Sequence, residues 1–229
     1  PWDGRLPRET RFVELLRLRN PRVTIQDLTP ILDELRSVKS PREIALVRRA
    51  SQLAGLGVLE AMRSTEPGAW EYQLDAVARY VFLQNGARLD GYRSITASGT
   101  DNIWNGHYYR NDSQLREGDL VLMDYAPDYR YYVSDIGRMW PVGGTYAPWQ
   151  RELLQFVLEW RNAILPRIRP GVTTDAILAE ARAAMEPVVA RTRPSCNRRS
   201  KGIPGVNAVR RAKVAPSAPR ATEKPRANT

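Results

Sequence analysis

The chain has one cysteine and one histidine among its 229 residues, and long apolar runs are missing. A single cysteine, Cys196, excludes an internal disulfide framework and any cysteine-rich zinc site. No apolar run approaches the roughly 18–20 residues of a membrane-spanning helix, which argues against a transmembrane protein. With no visible export signal, these features favour a cytoplasmic location. Any chemistry must rest on carboxylates, hydroxyls and the single histidine, His107.

Positive charge is concentrated near the end of the chain. The net charge is +10, yet the first 190 residues contain 24 basic and 24 acidic side chains, and residues 191–229 contain 11 basic and one acidic. This Pro-, Ala- and Arg-rich tail has too little apolar surface to offset its ordering entropy, so we predict that residues 191–229 are disordered. The alternative is a nucleic-acid-binding arm. Because phosphate binding by such tails is nonspecific, nucleic acid is the less favoured partner.

The first 190 residues alternate between helical and strand-like patterns. Ser40-Pro41-Arg42-Glu43 predicts a capping box at the start of a helix, which ends at Pro67-Gly68, and a second helix ends at Asn85-Gly86. Aromatic and β-branched residues then predict three strands, and helical periodicity returns in two later segments. The strands are Tyr92 to Ala97, Asp119 to Tyr125 and Tyr131 to Trp140, and the helices are Leu153 to Leu165 and a last one capped by Thr173 or Thr174. The order predicts an α+β fold, with helices packed on an antiparallel sheet.

Asp124 and Asp135 lie in a segment that predicts an antiparallel hairpin with its turn at residues 126–130. The two positions differ by an odd number. In a hairpin with an even-numbered loop, an odd difference puts both carboxylates on one face, either opposed or diagonal. Their apolar neighbours predict that both are buried, where two ionised carboxylates repel each other and need a cation or a shared proton.

Three arrangements of the two aspartates are compatible with the residues alone. Hard carboxylate oxygens could hold two metal ions, one carboxylate bridging both. The pair could instead share a proton, although no acid-protease motif surrounds either residue. In the third arrangement, one aspartate pairs with Arg130 or Arg138 and the other faces solvent.

Several ordered motifs resemble the M24 metallopeptidase family. They are HYYRN (His107 to Asn111), REGDLVLMDYAPDYRYYVSDIGRMWPV (Arg116 to Val142) and YAPWQRELLQFVL (Tyr146 to Leu158). They most resemble the Xaa-Pro aminopeptidase and prolidase branch, which has the creatinase-like pita-bread fold. The resemblance implies that residues 1–38 are the remnant of an N-terminal domain, and that residues 39–190 are the first half of the catalytic domain. Residues 191–229 form the basic tail.

The resemblance also assigns roles to individual residues. Asp124 matches the terminal aspartate ligand of one metal, and Asp135 matches the aspartate that bridges two divalent ions, commonly Mn, Co or Zn. His107 matches a histidine that contacts substrate without binding metal. The sequence departs from the family pattern at Ala126, where Gly is usual, and at Gly137, where Thr is usual. Neither change removes a ligand.

The implied activity is hydrolysis of the bond between an N-terminal residue and proline, with a peptide carrying proline at its second position as substrate. Members of this branch often form homodimers. The family site also needs a further histidine and two glutamates, and no histidine follows His107. We therefore expect a truncated, inactive fragment. Two alternatives are a methionine aminopeptidase or creatinase on the same scaffold, and a non-catalytic binding module whose basic tail binds nucleic acid.

Overall fold

The computed structural model describes residues 4–199, and the chain divides into two compact units, Pro1–Tyr146 and Ala147–Thr229. The last described helix continues to Arg199, beyond the boundary at residue 190 that composition predicts. The rest of the predicted tail, residues 200–229, lies outside the described residues. No described helix combines the length and apolar character required to cross a bilayer.

The first unit contains five described helices. Their bounds are α1 (Arg8–Arg19), α2 (Thr29–Ser37), α3 (Pro41–Arg63), α4 (Glu71–Gln84) and α5 (Gly99–Ile103). The predicted capping box is confirmed at α3, where the Ser40 amide donates to Glu43 Oε2 over 2.6 Å and Ser40 Oγ accepts from the Glu43 amide. The predicted helix that ends at Asn85 is also confirmed, as α4.

Five described strands form two small antiparallel sheets in this unit. The strands are β1 (Leu89–Asp90), β2 (Ile95–Ser98), β3 (Leu120–Asp124), β4 (Pro127–Asp128) and β5 (Gly137–Pro141). The first sheet has the order β2-β3-β5, and β1 pairs with β4 in the second. The centre of β3 is buried by the hydrophobic core, so the strand that ends in Asp124 is held firmly.

The hairpin turn is tighter and lies later than the sequence predicts. Arg130 and Tyr131 both have positive φ, and the backbones of Tyr129 and Tyr132 exchange hydrogen bonds around them. The predicted turn at residues 126–130 is wrong because β4 within that range pairs with β1. Strand pairing with β3 accordingly begins at Gly137, and not at Tyr131 as predicted.

The core of the first unit lies between α3, α4 and the β2-β3-β5 sheet. Its largest members include Leu53, Leu74, Phe82, Met123 and Tyr125. The rings of Phe82 and Tyr125 meet edge to face with centroids 5.0 Å apart, which joins α4 to the end of β3. The two helices approach closely at Gly57, where an added Cβ would lie 2.4 Å from the Phe82 ring.

The second unit contains α6 (Pro148–Ile164), a short 3-10 helix (Leu165–Arg167) and α7 (Thr174–Arg199). Of the two predicted capping residues, Thr173 is the one that caps α7, because its hydroxyl accepts a hydrogen bond from the Ala176 amide over 3.3 Å. Ala181 and Met185 supply the buried face of α7.

Candidate active site

The register of the hairpin sets the relation between the two aspartates. Asp124 pairs with Gly137, and the Tyr125 amide donates to the Ile136 carbonyl in the same register. Asp135 lies two residues before Gly137, so this register places it diagonal to Asp124 on the same face. The two-residue loop of Arg130 and Tyr131 is even-numbered, as the same-face expectation requires.

One tyrosine hydroxyl is affected by both carboxylates. The Tyr92 hydroxyl donates to Asp124 Oδ1 over 2.6 Å. Burial raises the pKa of Tyr92, and the hydrogen bond to Asp124 and the negative charges of Asp124 and Asp135 raise it further. The strand register puts Asp135 on the same face as Asp124, and the Tyr92 hydroxyl contacts Asp124.

The two aspartates differ in burial. Asp124 is half-buried, whereas Asp135 is exposed, so the prediction that both are buried is wrong for Asp135. The reason is that the chain between the turn and β5 leaves the core: Tyr131 is 90% exposed and Val133 is 42% exposed. One carboxylate is therefore fixed by protein contacts, and the other faces outward.

The arginines near the hairpin do not pair with the aspartates in the part of the chain that the structure describes. The Arg138 guanidinium donates to the Gly137 carbonyl over 2.7 Å, and that of Arg130 lies 5.7 Å from the centre of the Tyr129 ring. The ion-pair arrangement of Asp124 or Asp135 with Arg130 or Arg138 is therefore not the one that the structure adopts.

His107 is exposed in the segment that follows α5. Its ring lies 6.2 Å from that of Tyr109, measured between centroids. The carbonyl of Tyr109 accepts from Arg93 over 2.5 Å, and the Arg93 guanidinium also lies 5.3 Å from the centre of the Tyr109 ring. Because Arg93 directly follows Tyr92, these contacts connect the His107 segment to the strand edge that carries Asp124. Within residues 4–199, His107 itself forms no hydrogen bond or ion pair with either aspartate.

The donor set fits a divalent cation but is incomplete. Carboxylate oxygens are ligands for both Mn²⁺ and Zn²⁺. Among the described residues, however, no three His, Cys, Asp or Glu side chains are grouped so that they could hold a metal ion. Asp124 and Asp135 thus offer two ligands, and a closed metal centre needs more.

Tyr92 is the residue of this site that sequence reasoning misses. It appears in the sequence only as the first residue of a predicted strand. The signal that identifies it is the pairing of β2 with β3, in which Ile95 lies opposite Asp124 and so brings Tyr92 to the same strand ends. That pairing joins segments that are far apart in the sequence, and no local pattern predicts its register.

Comparison with known proteins agrees with this architecture. The model of metallopeptidase family M24 matches residues 45–203. The Xaa-Pro aminopeptidase of Escherichia coli strain K12 is 38% identical over 157 residues, which cover 69% of this chain and 35% of that protein. The chain spans about a third of the length of the first curated relatives it matches.

Comparison with solved structures also finds similarity to aminopeptidases. A proline aminopeptidase P II from Yersinia pestis is 37% identical with a TM-score of 0.68, covering 76% of this chain and 41% of that one. A Zn-substituted E. coli aminopeptidase P in complex with product is 33% identical with a TM-score of 0.71, covering 82% of this chain and 44% of that one. The predicted α+β class and partial pita-bread fold are confirmed. The chain belongs to metallopeptidase family M24.

Proposed function

We propose that this chain supplies part of the active site of a metal-dependent exopeptidase of the Xaa-Pro aminopeptidase type. The reaction is hydrolysis of the bond between an N-terminal residue and a following proline. The observation that carries the proposal is the position of Asp124 and Asp135 on one face of the hairpin, with Asp124 held by the Tyr92 hydroxyl. The E. coli relative, named as an Xaa-Pro aminopeptidase, supports the choice of substrate.

Asp124 and Asp135 would hold two divalent ions, which we assign to Mn, Co or Zn. When bound, such ions polarise the scissile carbonyl and stabilise the charge that develops on it. Asp124 is half-buried and fixed by Tyr92, which suits a ligand that serves one ion. Asp135 is exposed, which is compatible with the bridging role that the family resemblance assigns to it.

His107 would act on the substrate and not on the metal. Its imidazole is exposed, and its ring contact is with Tyr109 and not with a carboxylate. An imidazole in this position can donate a hydrogen bond to the substrate oxygen as negative charge develops there. Loss of His107 should therefore reduce turnover while metal binding is retained.

The remaining ligands are not among the described residues. His107 is the only histidine in the 229 residues, and residues 4–199 contain no group of three ligand side chains. We propose that these 229 residues by themselves bind divalent metal weakly and do not turn over Xaa-Pro peptides. Homodimer formation stays a prediction.

The test uses this chain alone and in a chimera. Calorimetry with Mn²⁺, Co²⁺ and Zn²⁺, together with an assay on an Xaa-Pro peptide, should give weak binding and no turnover for the 229 residues. Turnover typical of an intact enzyme would contradict the proposed incompleteness. In the chimera, residues 45–199 replace the matching segment of the E. coli relative, which then provides the other ligands.

Three variants of the chimera separate the proposed roles. Asp135→Asn should lose both bound metal and activity, because the bridging ligand is removed. His107→Ala should lose activity and keep its metal. Asp175→Asn, the same chemical change at an exposed residue in the first turn of α7, serves as the matched control and should keep both. Equal metal loss in Asp135→Asn and His107→Ala would contradict the assignment.

A further inference from the structure

Glu71 is a fully buried acid in the first turn of α4, and it accepts five hydrogen bonds. Its Oε1 accepts from the Ser98 amide (2.6 Å), the Ser98 hydroxyl (2.8 Å) and the Asn102 side-chain amide (3.0 Å). Its Oε2 accepts from the Tyr108 hydroxyl (2.7 Å) and the Ser113 amide (3.1 Å). The lone pairs of one side chain are thus fully used.

All five donors belong to one segment, residues 98–113, which carries His107. Ser98 ends β2, Asn102 lies in α5, and Ser113 closes the segment. The Glu71 backbone amide also donates to the Ser113 carbonyl over 3.0 Å, so the far end is held by backbone as well as side chain. Glu71 therefore fixes both ends of the segment and Tyr108 within it.

No cation accounts for this buried acid. In residues 4–199, no lysine or arginine forms an ion pair with Glu71. A buried carboxylate is costly unless hydrogen bonds replace its hydration. Five donors are directed at the two oxygens of Glu71, and a carboxylate suits them because it only accepts and has about four lone-pair sites. A glutamine side chain could not replace it, because its amide nitrogen cannot accept a hydrogen bond.

Tyr108, which donates to Glu71, is the residue directly after His107 in the sequence. Tyr108 is 4% exposed, whereas the adjacent His107 is exposed. Burial of one ring and exposure of the next set the direction in which the histidine side chain leaves the backbone. We infer that Glu71 is a positioning residue, which orients His107 through Tyr108. Its importance for catalysis rests on the proposed function, but its effect on the geometry of His107 does not.

The histidine itself provides the readout, because His107 is the only histidine in the chain and gives one set of imidazole NMR signals. The spectrum of the 229-residue chain is compared with those of Glu71→Gln and Tyr108→Phe, without metal or substrate. The imidazole signals should shift in both variants towards the positions of an unstructured peptide, and further in Glu71→Gln. Amide exchange at Ser98 and Ser113 should accelerate in Glu71→Gln, because both amides lose their acceptor.

Two controls separate positioning from a general loss of stability. Glu60→Gln makes the same chemical change at a partly exposed site, where the partner is Arg63. Val58→Ala leaves a cavity in the core of the same unit and lowers stability without removing a Glu71 hydrogen bond. Both controls should keep the wild-type imidazole signals.

Unchanged imidazole signals in folded Glu71→Gln and Tyr108→Phe would overturn the inference, and so would an equal shift in Val58→Ala. If Glu71→Gln does not fold, Tyr108→Phe decides alone, because it removes one hydroxyl and keeps the ring. A shift in these spectra supports the positioning role even if the metal and peptidase assays fail, so the two proposals are tested separately.

Discussion

Tyr92 and Asp124 are joined by a 2.6 Å hydrogen bond from the tyrosine hydroxyl to Oδ1. The two residues come from segments on neighbouring strands, and the pairing of Ile95 with Asp124 brings them together. The bond fixes one carboxylate oxygen. Within the described residues, no hydrogen bond to the other oxygen, Oδ2, accompanies it.

Tyr92→Phe should destabilise the folded chain. The substitution leaves Asp124 Oδ1 without its donor in a half-buried site next to a second negative charge. We expect the free energy of unfolding to fall by about 1–2 kcal/mol, measured by urea denaturation. Tyr131→Phe is the control, because its ring is 90% exposed, and it should change stability by less than about 0.5 kcal/mol. Equal effects from the two substitutions would show that the Asp124 bond contributes nothing.

Glu43 should make stability depend on pH in the acid range. Hydrogen bonds from the Ser40 amide, the Ser40 hydroxyl and the Tyr132 hydroxyl, in that order, lower the pKa of Glu43 from 4.5 to about 2. Because the folded pKa is the lower one, this contribution is fully present above pH 4.5 and is lost as the pH falls towards 2.

Urea midpoints measured from pH 5 to pH 2 test this prediction. The wild type should lose stability relative to Glu43→Gln across that window, and the difference should level off near pH 2. Glu34→Gln, an exposed position on α2, should follow the wild type. Parallel curves for wild type and Glu43→Gln would contradict the prediction.

Two glycines of α3 should respond to alanine in opposite directions. A Cβ at Gly57 would lie 2.4 Å from Phe82 Cε1 and 3.2 Å from the Ala78 carbonyl oxygen, so α3 and α4 would have to separate. We expect Gly57→Ala to lower the free energy of unfolding by about 1–3 kcal/mol. Gly55→Ala meets nothing within 4 Å and should raise it by about 0.5–1 kcal/mol. A stabilised Gly57→Ala would mean that the helices are not in close contact there.

Gly137→Thr should stabilise the chain. The Cβ would lie 3.9 Å from Asp124 Cβ and Cγ, an ordinary contact distance. A β-branched residue suits a strand better than glycine does, so we expect a gain of about 0.5–1 kcal/mol in urea denaturation. Gly86→Thr is the control, the same substitution at a glycine with φ of +85°. Threonine is strained there, so the free energy of unfolding should fall. A loss at Gly137 equal to that at Gly86 would contradict the prediction.

Local chemistry in the sequence was sufficient to predict some features of the fold. The capping box at Ser40 and Glu43 was predictable because its partners are three residues apart. The same-face relation of the aspartates followed from the parity of the hairpin. The turn at Arg130 and Tyr131 was not predictable, since neither residue is a typical occupant of positive φ.

Contacts between distant segments could not be predicted in this way. The role of Tyr92 depends on a strand register that joins residues about 30 positions apart, with the hydroxyl and Asp124 separated by 32. The exposure of Asp135 was missed because the aromatic and β-branched residues before it resemble a continuous buried strand. In the fold, β4 pairs with β1 instead, and the chain around Val133 is left outside the core.

The two-residue turn of the hairpin has a consequence for how the site can vary among related sequences. Side chains alternate between the two faces of a strand. If one residue were inserted between Arg130 and Tyr131 and β5 kept its pairing with β3, only the turn would lengthen and Asp135 would stay in place. If the insertion slipped the strand by one position, Asp135 would rotate to the opposite surface and its carboxylate would be lost to the site. The proposed cation site would thus depend on strand alignment as much as on the presence of its two acidic residues.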